Sequence, residues 1–204
     1  MQYIDLKTEL KDFIVFSTND IEKIDPSFHN QRLSEWQKKG YIKKIRQGYY
    51  VFSDLEINEK TLFLIANKIY APSYISLEMA LSWYNLIPEA VYGITCVTSR
   101  KTADFQTPAG NFIYKHIKPE LMFGYDLGDC HGRSYAVARM EKAVLDYLYL
   151  NPSVKDAADF DGMRFNALEF KEKTDTQNLE KFLAVFKNKS LNKRVGNLMK
   201  YANA

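Results

Sequence analysis

Gly40 is followed by YIKKIRQGYYVF, residues 41–52, in which two runs of β-branched, aromatic and basic residues flank a Gln47-Gly48 pair. Glycine at the second turn position accepts positive φ, and the flanking residue types favour pleated backbone. A tight hairpin is therefore predicted, with Tyr41 to Arg46 pairing against Tyr49 to Phe52. Just upstream, Asp25-Pro26 supplies a capping carboxylate and a proline suited to a first helical position, and Gly40 supplies a stop. Together they predict a helix from Pro26 to Gly40. At 100° per residue, His29, Leu33, Trp36 and Gly40 share one stripe, which leaves Asn30, Gln31, Ser34 and Lys38 on the opposite side. A basic hairpin joined directly to the end of such a helix leaves few folds open.

The residues before it narrow the choice. Tyr3, Ile4, Leu6, Leu10 and Phe13 recur at near-helical spacing, predicting a helix over Tyr3 to Phe13. Ser17, Thr18 and Asn19 offer capping oxygens for a second helix over Asp20 to Ile24. Three short helices and a hairpin, all before residue 53, describe a winged helix-turn-helix. In that architecture the third helix enters the DNA major groove and the hairpin cations meet phosphate. Asn30, Gln31, Ser34 and Lys38 are then the candidates for base edges, and Lys43, Lys44 and Arg46 for the DNA backbone. The competing reading makes the same face an ordinary solvated surface, or a contact for another protein.

Charge distribution favours an anionic partner. Between Pro26 and Tyr50 there are six cations against the single anion Glu35, in a chain whose formal total is +3. Residues 1–52 carry nine cations and seven anions, residues 53–170 eleven and fifteen, and residues 171–204 eight and three. The basic character is thus placed at the two ends. With 46% hydrophobic residues the chain can bury a core without staples, and Cys96 and Cys130 show no disulfide-framework or zinc-ligand spacing. The first residues, MQYIDLKTELKDF, are charged throughout and no run of 18 apolar residues occurs, so a cytoplasmic protein without a membrane segment is expected.

The polar stretch Ser53 to Asn58 is the expected boundary between an N-terminal domain, residues 1–54, and a C-terminal domain, residues 55–204. Beyond it the patterning predicts helices over Glu59 to Tyr70 and from Ser76 to the residue before Pro88. It then predicts strands over Val91 to Thr98 and Asn111 to Ile117. A helix is expected over Tyr135 to Leu150, with Ala136, Met140, Val144, Leu145 and Leu148 inward, followed by helices over Leu179 to Phe186 and Leu191 to Tyr201. The fold class is therefore α+β.

Four constellations suggest other chemistry. Asp129-Cys130-His131-Gly132-Arg133 sets a thiol beside an imidazole, but catalytic pairs usually come from separate segments, and a loop is the expectation. His116, flanked by Lys115 and Lys118, reads as a surface or interface residue. Asp161 with Glu169-Phe170-Lys171 echoes the carboxylates and lysine of metal-dependent nucleases, a pattern too short to be specific. Arg100-Lys101-Thr102 lacks the glycine-rich cradle of a phosphate loop. No catalytic residue, metal site or cofactor is expected.

The order of three blocks resembles the AbiEi-type antitoxins, transcriptional regulators of a phage-defence, abortive-infection locus. The blocks are KKGYIKKIRQGYYVF, then IANKIYAPSYISLEMALSWYNLIPEAVYGITCVTSRKTADFQTPAGNFIYKHIKPELMFGY, then RMEKAVLDYLYLNP. The resemblance implies a winged helix that binds the double-stranded operator of its own operon. It also implies a C-terminal domain that opposes a nucleotidyltransferase-like toxin in the type IV manner, without a stable complex. By position, the DNA-binding helix and wing fall on Asn30 to Lys39 and Lys43 to Tyr50, which adds Lys39 and Tyr49 to the candidates. Arg100, Lys101 and His116 in the middle block, with Lys193 and Arg194 near the end, are the candidate antitoxin surface. The alternative function is an interaction module that binds the toxin, or the toxin's nucleic-acid target, directly.

Overall fold

The computed structural model of the protein describes residues 1–88 and 92–204. It is an α+β fold with ten α-helices and two sheets among the described residues. The chain opens with α1 (Tyr3–Glu9), a short strand β1 (Phe16–Ser17), α2 (Thr18–Ile24) and α3 (Gln31–Lys38), then the hairpin β2 (Ile42–Arg46) and β3 (Tyr49–Phe52). β3 pairs antiparallel with both β1 and β2, giving a three-stranded sheet in the order β1-β3-β2. An aromatic cluster holds the helices on this sheet: Phe16 lies 4.8 Å from Phe52, and Phe28 lies 5.6 Å from Trp36, between ring centroids.

The predicted helix from Pro26 is shorter than its start signal implied. Asp25 spends its carboxylate on the Ser27 N–H at 3.0 Å and hydroxyl at 2.6 Å, and Phe28 N donates to Asp25 O at 3.0 Å, which closes a turn. α3 therefore begins at Gln31, and His29 is exposed rather than part of the inward stripe. Leu33 and Trp36 are buried as the periodicity requires. The predicted stop holds: Gly40 has φ +72°, its N–H donates to Gln37 O at 3.0 Å, and Tyr41 N donates to Trp36 O at 2.9 Å. That paired pattern is a Schellman motif, which needs the left-handed conformation glycine adopts freely.

Residues 59–204 build the larger unit. α4 (Glu59–Ile69) leads into β4 (Ser73–Ile75), α5 (Leu77–Trp83), β5 (Ile94–Thr98), β6 (Ala103–Thr107), β7 (Gly110–His116), β8 (Tyr125–Cys130) and β9 (Arg133–Ala138). α6 (Met140–Leu150), α7 (Ala157–Gly162), α8 (Ala167–Lys173), α9 (Thr176–Phe186) and α10 (Lys189–Ala202) follow. The strands form a six-stranded mixed sheet, β6-β7-β5-β4-β9-β8, in which β4 runs parallel to β9 and β5 parallel to β7. One face, with Ile75, Cys96, Phe112, Tyr114 and Val137, packs on α4; the other, with Tyr74, Val97 and Ala138, packs on α5, α6 and the C-terminal helices.

Three expected boundaries differ in the structure. Residues 135–138, where the patterning predicts the start of a helix, belong to the strand β9, because pairing with β4 and β8 overrides their helical composition. The helix after Ser76 ends at Trp83, well before Pro88. The strand expected from Val91 is found over Ile94–Thr98, and Val91 itself lies outside the described residues.

The two sheets share a core. Ile14, Val15, Ile45 and Val51 join the apolar cluster formed by α4 and the large sheet, while Leu6, Phe16, Leu33, Trp36 and Phe52 form a separate cluster within residues 1–52. At the entrance to α2, Ser17 Oγ accepts from Asp20 N at 3.2 Å and donates to the Asp20 carboxylate at 2.7 Å. Burial draws the Asp20 pKa upward, but the bonds from Ser17, with Lys68 and Lys23 nearby, outweigh it and leave the carboxyl below its ordinary range. The stabilisation is therefore present above the unfolded value, about 3.9, and is lost as pH falls through the folded one. Asp20→Ala is expected to cost about 1 kcal/mol at neutral pH. That cost should shrink toward zero as denaturant unfolding is repeated at progressively more acidic pH.

Candidate nucleic-acid interface

α3 presents Gln31, Ser34, Glu35 and Lys38 to solvent, at helical spacing along one face, while Leu33 and Trp36 anchor the opposite one. Asn30, at the N-cap, and Lys39, at the C-cap, are also exposed. On β2, Lys43 and Lys44 stand outward between the buried Ile42 and Ile45. Lys44 Nζ reaches Gln47 Oε1 at 3.4 Å, and Lys38, Lys39 and Lys43 make no ion pair among the described residues. Residues 26–50 thus expose four lysines against a single carboxylate, that of Glu35.

The hairpin is less free than an isolated basic turn. Gly48, at φ +77°, accepts from Thr18 N through its carbonyl at 3.0 Å, which ties the turn to the start of α2. The ladder shifts register between Lys44 and Arg46, and that bulge turns Arg46 away from the lysines. Its guanidinium donates to Ile69 O at the end of α4 and lies 4.4 Å from the Phe105 ring centroid and 5.0 Å from that of Tyr70. Arg46 thus joins the hairpin to the large unit, and Tyr49 is half-buried against the same cluster. Arg32 likewise donates inward, to Met1 O.

The residues of the candidate antitoxin surface do not come together. Arg100 donates to Ala71 O at 3.2 Å and lies 4.4 Å from the Tyr70 ring centroid, while His116 Nδ1 is 2.9 Å from Arg100 O. Arg100, Lys101 and His116 therefore form one exposed corner beside β7. Lys193 lies apart from them on α10. Arg194 is buried at 6% exposure and donates to Ser190 Oγ and Leu148 O, so it is not a surface residue.

The other constellations also resolve. His131-Gly132 is the two-residue turn of the β8–β9 hairpin, with both residues at positive φ, and Cys130 is buried, which pushes its thiol pKa up. An exposed imidazole and a buried thiol across a turn do not make a nucleophile and base. Asp161 accepts from Tyr201 OH at 2.6 Å, and Glu169 pairs with Lys173 rather than Lys171. No group of three His, Cys, Asp or Glu side chains able to hold a metal occurs among the described residues. Among the described residues, no helix is long and apolar enough to cross a membrane.

A buried ion pair in the larger unit is not among the sequence candidates. Lys142 and Asp146, one turn apart on α6, are both fully buried and form an ion pair. Tyr74 OH accepts from Lys142 Nζ at 2.7 Å and donates to Asp146 at 2.8 Å, and Ser76 Oγ donates to the same carboxylate at 2.9 Å. Burial lowers the pKa of the lysine and raises that of the carboxyl, each against the pull of its partner. Both charged groups have hydrogen-bond partners and the network lies in the core, so its role is structural. The opposite charges at i and i+4 within EKAVLD are the signal that could have found it. Lys142→Met should cost about 3–5 kcal/mol in urea unfolding, since Asp146 is left as an unpaired buried charge. Lys142→Met with Asp146→Leu should recover most of that loss.

A scan against models of known protein families finds no match for this chain, and none of the curated proteins matches it.

Proposed function

We propose that the chain is a DNA-binding antitoxin of the type it resembles. In this reading residues 1–54 are a winged helix-turn-helix that binds operator DNA and represses its own operon. Residues 55–204 carry the activity that counteracts a nucleotidyltransferase-like toxin in a type IV, abortive-infection system. The observation that carries the proposal is the outward face of α3, where Gln31, Ser34 and Lys38 are exposed, together with the exposed Lys43 and Lys44 of the hairpin that follows it. Amide and hydroxyl groups on a helix of this kind suit base edges, and unpaired lysines beside them suit phosphates. Arg46 is assigned to the joint with α4 instead of the DNA backbone, and no catalytic step or cofactor is assigned.

Fluorescence anisotropy with duplex DNA from upstream of the gene, set against random duplex, tests the proposal. Gln31→Ala is expected to cost about 1–3 kcal/mol on the operator and little on random DNA. Lys43→Ala should lower the slope of log K against log salt by about 0.9 on both. Equal affinity for operator and random DNA overturns sequence-specific repression. Co-expression with the neighbouring gene tests the second half: rescue from growth arrest without co-purification supports the type IV reading. A stable co-purified complex would replace it with direct binding of the toxin.

A further inference from the structure

The basic C-terminal segment has no part in the DNA-binding reading, yet the structure builds a site from it. α10 lies beside the loop that leads into α7: Asn197 Nδ2 donates to Lys155 O at 2.8 Å. Between them is a cavity of about 310 Å³ whose lining includes Lys155, Asp156, Ser190, Lys193 and Arg194. Lys155 and Lys193 are exposed, whereas Arg194 is more than nine-tenths buried. The Arg194 guanidinium donates to Ser190 Oγ at 3.1 Å and to Leu148 O at 3.0 Å, and its Nε finds no partner among the described residues.

A buried guanidinium without a carboxylate partner is costly, because desolvation of the cation is not repaid by a full opposite charge. Leu148 O belongs to the last turn of α6, where the helix dipole contributes about half a negative charge. That dipole leaves about half of the positive charge on Arg194 uncompensated. The Asp156 carboxylate caps α7 through Asp159 N at 3.4 Å, so it cancels one cation of the three around the cavity. The remaining surplus, about one and a half positive charges once the α6 dipole is counted, matches the dianion of a phosphate monoester better than a monoanionic carboxylate. The volume sits at the low end of small-ligand pockets, about 300–1,000 Å³, which is enough for a phosphate with its attached sugar.

We propose that this cavity between α7 and α10 binds the phosphate group of a nucleotide or of a nucleic-acid end. Lys155 and Lys193 contact the phosphate oxygens, and Arg194 fixes the charge of the wall and the position of Ser190. The site is independent of the α3 face, and its failure would leave the DNA-binding reading standing.

Isothermal titration of the full chain with AMP and with adenosine tests it. Saturable one-to-one binding of AMP with none of adenosine is the expected result. A single-stranded ribonucleotide oligomer, with and without a 5′-phosphate, identifies the source. Tighter binding of the phosphorylated oligomer than of AMP assigns the phosphate to a nucleic-acid end, and equal or weaker binding assigns it to a nucleotide. Lys193→Glu, at an exposed position that the fold does not use, should weaken AMP binding by about tenfold or more, the scale of a lost charge-assisted contact. Lys181→Glu, on the exposed side of α9, should leave it unchanged. The proposal is overturned if AMP shows no saturable binding, if adenosine binds as tightly, or if both lysine variants lose affinity equally.

Discussion

Lys142 and Asp146 place two opposite charges at the centre of the larger unit, where neither reaches water. An ammonium and a carboxylate in such a position are tolerated only if each keeps a complete set of partners, and the partners come from another element. Tyr74 and Ser76, on either side of the β4 end, supply them. The need to satisfy the pair therefore fixes how α6 sits against the central strand of the six-stranded sheet. The rings of Phe123 and Phe186, 5.0 and 5.1 Å from the Lys142 ammonium, extend the same requirement to the β8 approach and to α9. Apolar packing alone would permit several helix positions on this face; a satisfied buried charge network permits fewer.

A second joint sets the relation between the small and large units. Arg46 reaches across from the hairpin to the end of α4 and to the Tyr70 and Phe105 rings, while Ile14, Val15, Ile45 and Val51 enter the large core. The polar Ser53 to Asn58 segment connects the two, yet the units are not separate beads on a linker. Whatever the outward face of α3 engages, its orientation is coupled to the sheet through this joint.

Much of this was legible in the sequence, and the illegible part has definite causes. The Gly40 stop, the hairpin and the burial of Leu33 and Trp36 follow from local rules, and the structure contains them. The α3 start was misplaced because Asp25 can cap a turn or a helix, and the choice depends on Phe28 packing against Trp36. β9 was misread because its strand state is imposed by neighbours remote in sequence. Arg46 and Arg194 were read as surface cations because nothing in IKKIR or NKRVG separates them from the adjacent lysines. A ladder bulge turns the first inward, and the packing of α10 buries the second. Helical periodicity is enough to place Gln31, Ser34 and Lys38 on the exposed side of α3, while Lys43 and Lys44, chosen for their charge, are exposed between the buried Ile42 and Ile45.

The bond from Thr18 to the Gly48 carbonyl has an entropic consequence for any partner the hairpin would meet. A free β-ribbon must be ordered by its partner, and each immobilised residue subtracts from the affinity gained. Here the turn is clipped to α2 and the strand end beside it is clamped by Arg46 to the end of α4, so the hairpin that carries Lys43 and Lys44 is already held at its tip. In the proposed DNA-binding role, a hairpin held in this way would act as a rigid die, selecting by fit to a preset groove shape and giving up the adaptability that a floppy ribbon lends to mismatched partners.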